Sequence, residues 1–389
     1  MDQTINAYID AHREEIIRQW KDLVNLQAES KEVEALDVVA QHLYRVFTEA
    51  GVTCQLRRAV PEAPQVLTGV IGADRPGQPI VFSGHYDTVF KKGTFDQDPF
   101  RIDDEGKAHG PGVLDMKGGV IMALYVIKAL EASGWKEHPI RIVFCGDEEN
   151  GTYHFDSAGI MRETAKGAKC AFNMETGPIN NALCVGRKGV LIGSFVVTGV
   201  SAHSGNNFDA GRNAVVEAAH KMVAIDAMND HDKGSNINVA VVHGGKMWNS
   251  IPDRCEVTFS GRFALGSEMT RVQNEVEALM KKTYVDGTTT VYTPGASCGV
   301  FEQNEANTKL WAFCSQVSEE MGLGKMDHVI MGGGSDAIQL ASVGVPTLCS
   351  CGVCGEWNHT DREYALVESM FNRAKLWCAV VQKLDELSF

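Results

Sequence analysis

Apolar and polar positions alternate with a helical period at the start of the chain. Residues 5–27 and 31–50 read as two amphipathic helices. In the second, Leu36, Val39, Leu43, Val46 and Phe47 recur on one face, and Gly51 stands where a helix is capped. The pattern then shortens. Apolar runs at 66–71, 80–82, 140–145, 170–174 and 345–349 are bounded by glycine, proline or charge, with helical patterns between several of them. That alternation predicts an α/β sheet. Between Lys188 and Ala296 the order changes to strand 190–198, helix 212–225, strands 237–243 and 255–263, helix 267–282 and strand 288–292. This is the β-α-β-β-α-β order of a ferredoxin-like split βαβ unit. It predicts an inserted domain, 188–296, within a larger α/β domain built from 1–187 and 297–389.

A chain of 389 residues has room for two domains and a substantial core. Its net charge of -14 argues against nucleic acid or an anionic membrane as partner, and any anionic small-molecule substrate would have to meet local cations. The N-terminal stretch carries acids and helical periodicity where a secretory signal needs a basic start and an apolar block. No run has the apolar length of a membrane helix. Eleven cysteines, an odd number spread through a long chain, read as reduced thiols and predict a cytoplasmic protein.

Chemistry concentrates in five segments: SGHYDTV, GPGVLDMKGG, FCGDEENG, NMETG and EWNHTD. Each puts an acid or histidine just beyond a strand or in a glycine-rich loop, where the crevice at the carboxyl ends of an open α/β sheet brings such residues together. His85, Asp115, Glu175, His359 and one of the pair Glu148 and Glu149 form a ligand set that suits zinc. One bridging carboxylate would give each of two ions a histidine, a terminal carboxylate and a share of the bridge. Asp115 is the bridge candidate, because it precedes a helix expected to start near Met116 and so lies close to that helix's positive end. Asp87 is placed to accept a hydrogen bond from the His85 nitrogen that does not bind metal. Adjacent residues at a strand end point in opposite directions, so one of Glu148 and Glu149 can coordinate while the other serves the attacking water as general base. The chemistry alone does not choose between them.

These motifs resemble the di-zinc metallopeptidase and amidohydrolase family of glutamate carboxypeptidase, acetylornithine deacetylase, succinyl-diaminopimelate desuccinylase and aminoacylase, over nearly the whole chain. The resemblance implies a zinc-exopeptidase-like α/β catalytic domain whose insert is a lid or dimerisation domain. It implies zinc ligands at His85, Asp115 (bridging), Glu149, Glu175 and His359, with Glu148 as general base and Asp87 behind His85; cobalt and manganese suit the same ligands. It further implies a homodimer in which His203, in GVSAHSG, stabilises the oxyanion. The implied reaction is hydrolysis of a peptide or N-acyl amide bond adjacent to a free carboxylate.

On the substrate side, Asn249 in WNSIPD and Arg262 in SGRF match the family pattern; they supply an amide and a guanidinium for a carbonyl or carboxylate. The run MGGGSDA, including Gly333 and Ser335, offers backbone N–H groups that could hold a carboxylate. One feature departs from the glutamate-releasing members: where they carry an arginine just after the insert, Cys298, Gly299, Val300 and Phe301 stand here, so the resemblance, most like a glutamate-carboxypeptidase-type metallopeptidase or N-acyl-amino-acid amidohydrolase, does not by itself imply glutamate specificity. Cys349, Cys351 and Cys354 lack a fourth close ligand for a structural zinc and read as strand end and loop. A di- or tripeptidase, and a non-catalytic metal-binding homologue, are the alternatives; an intact Glu148 speaks against the latter.

Overall fold

The computed structural model describes residues 3–149 and 157–389, which leaves Asn150 and Gly151 of the FCGDEENG segment outside the described residues. The chain divides into two compact units. One comprises Met1–Gly186, Gln303–Ile330 and Ser335–Phe389; the other comprises Arg187–Glu302 and Met331–Gly334.

The first unit is built on a six-stranded sheet in the order Thr53–Arg57, Val66–Ile71, Ile140–Cys145, Ile80–His85, Cys170–Asn173, Thr347–Leu348. The last four strands run parallel and the first two are antiparallel. Ile80–His85 is buried along its whole length, which is why it reads as a continuous apolar run instead of an alternating one. Helix Gly118–Ala132 is almost wholly buried and apolar on every side, as a central helix must be. It lies directly against strand ends: a Cβ on Gly119 would run into the Met174 carbonyl, so only glycine permits that approach. A smaller five-stranded sheet, ordered Arg101–Ile102, Lys107–His109, Tyr364–Leu366, Cys354–Glu356, Gly177–Pro178, has strands too short to leave a pattern in the sequence.

The second unit is a four-stranded antiparallel sheet ordered Ser235–Gly244, Arg254–Phe263, Gly189–Thr198, Thr289–Cys298, with helices Ala214–Asp226 and Gly266–Met280. Phe195, Phe259, Val272 and Val276 are among the residues of its own core. The β-α-β-β-α-β order and the pairing are those of a ferredoxin-like unit.

Several expected boundaries move. The helix expected over 5–27 is two helices, Gln3–Ala11 and Arg13–Asn25. They part at His12, whose Nδ1 bonds the Tyr8 carbonyl at 2.7 Å. The strand expected over 80–82 runs on to His85, and that expected over 345–349 is only Thr347–Leu348. The strand expected over 288–292 reaches Cys298 through Pro294 and Gly295. It is an edge strand, where proline is tolerated, and its register with Gly189–Thr198 shifts between Leu191 and Gly193. The helix expected from Met116 begins at Gly118, because Asp115 and Met116 have non-helical dihedrals inside a tight turn, Val113–Lys117.

Candidate metal centre

Strand register brings the first ligands level. His85 is the last residue of its strand and lies opposite Cys145, three residues before Glu148; Ser83 lies opposite Asn173, two residues before Glu175. The carboxyl ends of three neighbouring parallel strands thus deliver His85, Glu148, Glu149 and Glu175 to one crevice.

Asp115 divides its carboxylate between two histidines. Its Oδ1 lies 3.3 Å from His85 Nε2, and its Oδ2 lies 3.1 Å from His359 Nε2. On one side His85 Nε2 also lies 3.1 Å from Glu175 Oε1; on the other, His359 Nε2 lies 3.1 Å from Glu149 Oε2. Two half-sites therefore share Asp115, with His85 and Glu175 in one and His359 and Glu149 in the other. Glu148 stands beside the first, its Oε2 3.9 Å from His85 Nε2. His85 is fully buried, whereas the His359 side chain is 52% exposed, so the crevice opens on the His359 side.

Asp87, fully buried, faces the far side of the His85 ring, with Oδ1 3.2 Å from Nδ1. It also accepts from Glu149 N at 3.0 Å and Glu148 N at 3.3 Å, so one carboxylate positions both the histidine and the glutamate pair.

The electrostatics are those of carboxylates in surplus. Burial alone would lower the His85 imidazole, but hydrogen bonds to Asp115, Asp87 and Glu175 hold it well above its ordinary value. Asp115 and Glu149 raise His359 to about 11. Burial would raise Asp115, yet His359 and His85 hold it far below the usual carboxylate range. Burial pushes Glu149 up to about 7, with Asp115 adding to it, and pushes Glu148 well above its ordinary value. Among the described residues the buried Oδ1 of Asp115 receives no well-formed hydrogen bond beyond its 3.3 Å approach to His85 Nε2. His85, Asp115 and Glu149, and again His85, Glu148 and Glu175, each offer ligand atoms within 4.8 Å of one another. This donor set, with one buried carboxylate shared between two imidazoles, fits divalent metal ions.

Three supporting residues leave little or no mark in the sequence pattern. Glu363 Oε1 accepts from Leu114 N at 2.8 Å and Asp115 N at 3.0 Å and so fixes the turn that carries the bridge. Asn358 donates to Asp115 Oδ2 at 3.0 Å, and Ser30 Oγ donates to Asp87 Oδ2 at 2.6 Å. Asn358 and Glu363 flank His359 in sequence, a signal that could have found them; Ser30 offers none. Trp357 and His359 hold φ of 67° and 64°, left-handed conformations that non-glycine residues adopt rarely and that cluster at functional sites.

The expected substrate-side residues distribute differently. His203, Asn249, Arg262 and Gly333 belong to the second unit, Ser335 to the first. His203 and Asn249 are brought together: His203 bridges Ser250, and Ser204 N donates to the Asn249 carbonyl at 3.0 Å. His203 Nδ1 accepts from Gly205 N and Asn206 N, at 3.2 and 3.1 Å. Arg262 is exposed on strand Arg254–Phe263, and its guanidinium donates to the Gly261 carbonyl. The Gly333 carbonyl lies 3.5 Å from Arg187 Nη1, which bonds Gly334 O at 2.9 Å. The Ser335 hydroxyl is buried among Asn173, Asp336 and Cys349, which leaves only its backbone to offer a ligand. Cys349 and Cys351 are likewise spent internally, on Asn173 Oδ1 and the Leu348 carbonyl, and no metal-holding group among the described residues includes a cysteine.

An α/β sheet whose strand ends converge on a carboxylate shared between two histidine sites defines a metal-dependent hydrolase. Residues 81–383 match Peptidase family M20/M25/M40, and the chain belongs to that family. It is 28% identical over 380 residues to carboxypeptidase G2 from Pseudomonas sp. (strain RS-16), a match covering 95% of this chain and 89% of that protein. It is 30% identical over 258 residues to a succinyl-diaminopimelate desuccinylase from Afipia carboxidovorans, covering 61% of this chain and 65% of that one. Among solved structures, aminopeptidase PepT from Bacillus cereus gives a TM-score of 0.78 at 20% identity, covering 96% of this chain and 99% of that chain. The M20 family metallo-carboxypeptidase Sso-CP2 from Sulfolobus solfataricus gives 0.71 at 14%, covering 100% of both. At such identities the structures bear on the fold alone. The resemblance read from the motifs therefore holds, and the chain is a metal-dependent hydrolase of a family that acts on small peptide or acyl-amino-acid substrates. Hydrolysis of an amide bond near a carboxylate accords with these relatives. No helix among the described residues is long and apolar enough to cross a membrane.

Proposed function

We propose that this protein is a two-zinc hydrolase that cleaves a peptide or N-acyl amide bond next to a free carboxylate, and that it works as a cytoplasmic homodimer. The observation that carries the reading is the division of Asp115 between two histidines, at 3.3 Å and 3.1 Å from its two oxygens. His85, Asp115 and Glu175 would hold one ion and His359, Asp115 and Glu149 the other; cobalt or manganese could take the same ligands. Bound there, the ions supply polarisation of the scissile carbonyl and a water of lowered pKa.

The chain's own groups do the rest. Glu148, which stands beside the Asp115 bridge and is made more basic by burial, acts as the carboxylate, takes a proton from the attacking water and returns it to the leaving nitrogen. Asp87 keeps the His85 ring oriented with Nε2 toward the crevice. Two backbone N–H groups point at His203 Nδ1, so a neutral ring carries its proton on Nε2, where it can donate to the developing oxyanion. Asn249 and Arg262 hold the carboxylate end of the substrate, aided by backbone N–H groups near Gly333 and Ser335.

Residues 188–296 form the lid or dimerisation domain in this reading. Ser235–Gly244 is an edge strand, and Val216 and Val223 stand exposed on helix Ala214–Asp226, a surface suited to a second copy. Eleven cysteines, none of them in a disulfide among the described residues, support a reducing compartment.

The test is metal content together with hydrolysis of a panel of N-acyl amino acids, dipeptides and tripeptides, for wild type and Glu148→Ala. Both proteins should bind about two ions per chain, with turnover lower by about 10²- to 10⁴-fold in the variant only. Absence of metal from both, or undiminished turnover in Glu148→Ala, would sink the mechanism. Light scattering tests the dimer.

A further inference from the structure

The second unit displays a large aromatic residue that its fold does not use. Strands Ser235–Gly244 and Arg254–Phe263 are joined by residues 245–253, and within that connection Ser250 N donates to the Met247 carbonyl at 3.3 Å. Trp248 and Asn249 are therefore the two central residues of a tight turn. The turn is fastened to the segment that carries His203: Ser204 N donates to Asn249 O at 3.0 Å, and Ile251 N donates to Ala202 O at 2.8 Å. On this anchored backbone Trp248 is 92% exposed and Met247 62% exposed. An indole left in water forgoes one of the largest gains from burial that any side chain offers, so a fixed, exposed tryptophan marks a contact surface.

A second observation concerns charge. Cys298, Gly299, Val300 and Phe301, from the last residue of the edge strand of this unit onward, carry none, and Phe301 is buried. An acidic substrate side chain would find no cation in that stretch, whereas Met247 and Trp248 of the turn next to Asn249 offer an apolar surface, with the neighbouring Lys246 lying 3.7 Å from Asp253.

We propose that Trp248 is a specificity-determining residue whose ring packs on the side chain of the substrate residue bearing the free carboxylate, and that this side chain is apolar or aromatic. The inference rests on the reading that His203 and Asn249 face the substrate. Asn249 aligns the carboxylate end, and Trp248, its neighbour in the same turn, reaches the side chain beside it. Phenylalanine- or leucine-like residues should be accepted ahead of glutamate.

The experiment measures kcat and KM on amino acids that share whichever acyl group wild type turns over, with phenylalanine, leucine, serine or glutamate as the amino acid. Wild type is compared with Trp248→Ala, Trp248→Phe and His203→Ala, with the mass of each determined in solution. Trp248→Ala should lose about 10- to 100-fold in kcat/KM on phenylalanine and leucine, mostly through KM, and only a few-fold on serine and glutamate. Trp248→Phe should retain most of the preference. A loss uniform across the panel, no loss, a wild-type preference for glutamate, or a changed mass in Trp248→Ala would overturn the proposal. Lost turnover in His203→Ala beside a flat Trp248→Ala profile removes this inference alone; unchanged turnover in His203→Ala removes the underlying reading with it.

Discussion

Buried charge is handled in opposite ways in the two units. In the second, Lys221 and Glu217 lie one turn apart on helix Ala214–Asp226, both fully buried, with Nζ 3.2 Å from Oε1. Lys221 also donates to the Leu279 and Lys282 carbonyls at 3.0 and 2.5 Å, at the end of helix Gly266–Met280. Glu217 Oε2 accepts from Tyr284 N and Val285 N, both at 2.7 Å. One cation meets one anion, and backbone groups satisfy much of the remainder. In the first unit Asp87, Asp115, Glu148, Glu149 and Glu175 gather around two histidines, His85 and His359, with buried Lys117 near Asp87 a further cation among the described residues. A structural pair brings its own counter-charge, whereas a surplus of carboxylates is stable only with a counter-charge from outside the chain. The contrast separates a fastening from a site.

The largest expected effect comes from breaking the shared bridge. Asp115→Ala should lose both ions and reduce turnover to background, because each half-site loses a ligand at once. Glu149→Ala, which removes a ligand private to one half-site, should leave the other ion in place. Metal analysis of the two variants decides this, and an Asp115→Ala protein that kept both ions would end the bridging reading. Chelation sharpens the same contrast. At metal a hundredfold above its Kd each ion contributes about 3 kcal/mol, so removal of both should cost the first unit about 5 kcal/mol. Hydrogen exchange should show its strand ends opening while helix Ala214–Asp226 stays protected.

Much of the metal centre is legible in the amino-acid sequence, because chemistry tied to residue type survives there. His85, Asp115 and Glu175 announce themselves as ligand types beside glycines and His359 as a late histidine in a polar segment, and the period of apolar residues places most strands and helices. What the sequence hides depends on distant partners. Glu363 is a carboxylate 248 residues from the Asp115 N–H it holds, and Ser30 reaches Asp87 across 57 residues. Local pattern carries no trace of the Ser30 contact, and only nearness to His359 in sequence hints at Glu363. The strand through Pro294 looks shorter in sequence than it is because proline and glycine read as a stop, and only the strand's edge position makes them tolerable. The choice between Glu148 and Glu149 needs geometry: Glu149 meets His359 and Glu148 stands beside His85.

The next effect tests the structural side of the comparison. Lys221→Met should destabilise the second unit by about 3–5 kcal/mol, since it strands a buried carboxylate. Adding Glu217→Leu should recover part of that loss. Recovery should stop short of wild type, because the N–H groups of Tyr284 and Val285 then lose their acceptor, at about 1–3 kcal/mol for each that stays dry. Urea unfolding of the single and double variants measures both steps. A double variant less stable than Lys221→Met would mean that Glu217 acts mainly as a cap for those two N–H groups and only secondarily as a counter-charge.

The smallest effect lies behind the metal centre. Asp87 faces His85 Nδ1 at 3.2 Å and accepts from Ser30 Oγ at 2.6 Å, Glu149 N at 3.0 Å and Glu148 N at 3.3 Å. Ser30→Ala removes one of four partners, so the ring stays oriented and metal affinity should fall by about 10-fold or less. Asp87→Ala should lower it by about 10- to 100-fold. Competition with a chelating dye measures the affinities, and kcat at saturating metal separates the two ways in which Ser30 can act. An unchanged kcat means that the hydroxyl works through His85. A reduced kcat at full metal occupancy means that it works through the Glu148 N–H and the placement of the general base, which would make Asp87 as much a support for proton transfer as for metal binding.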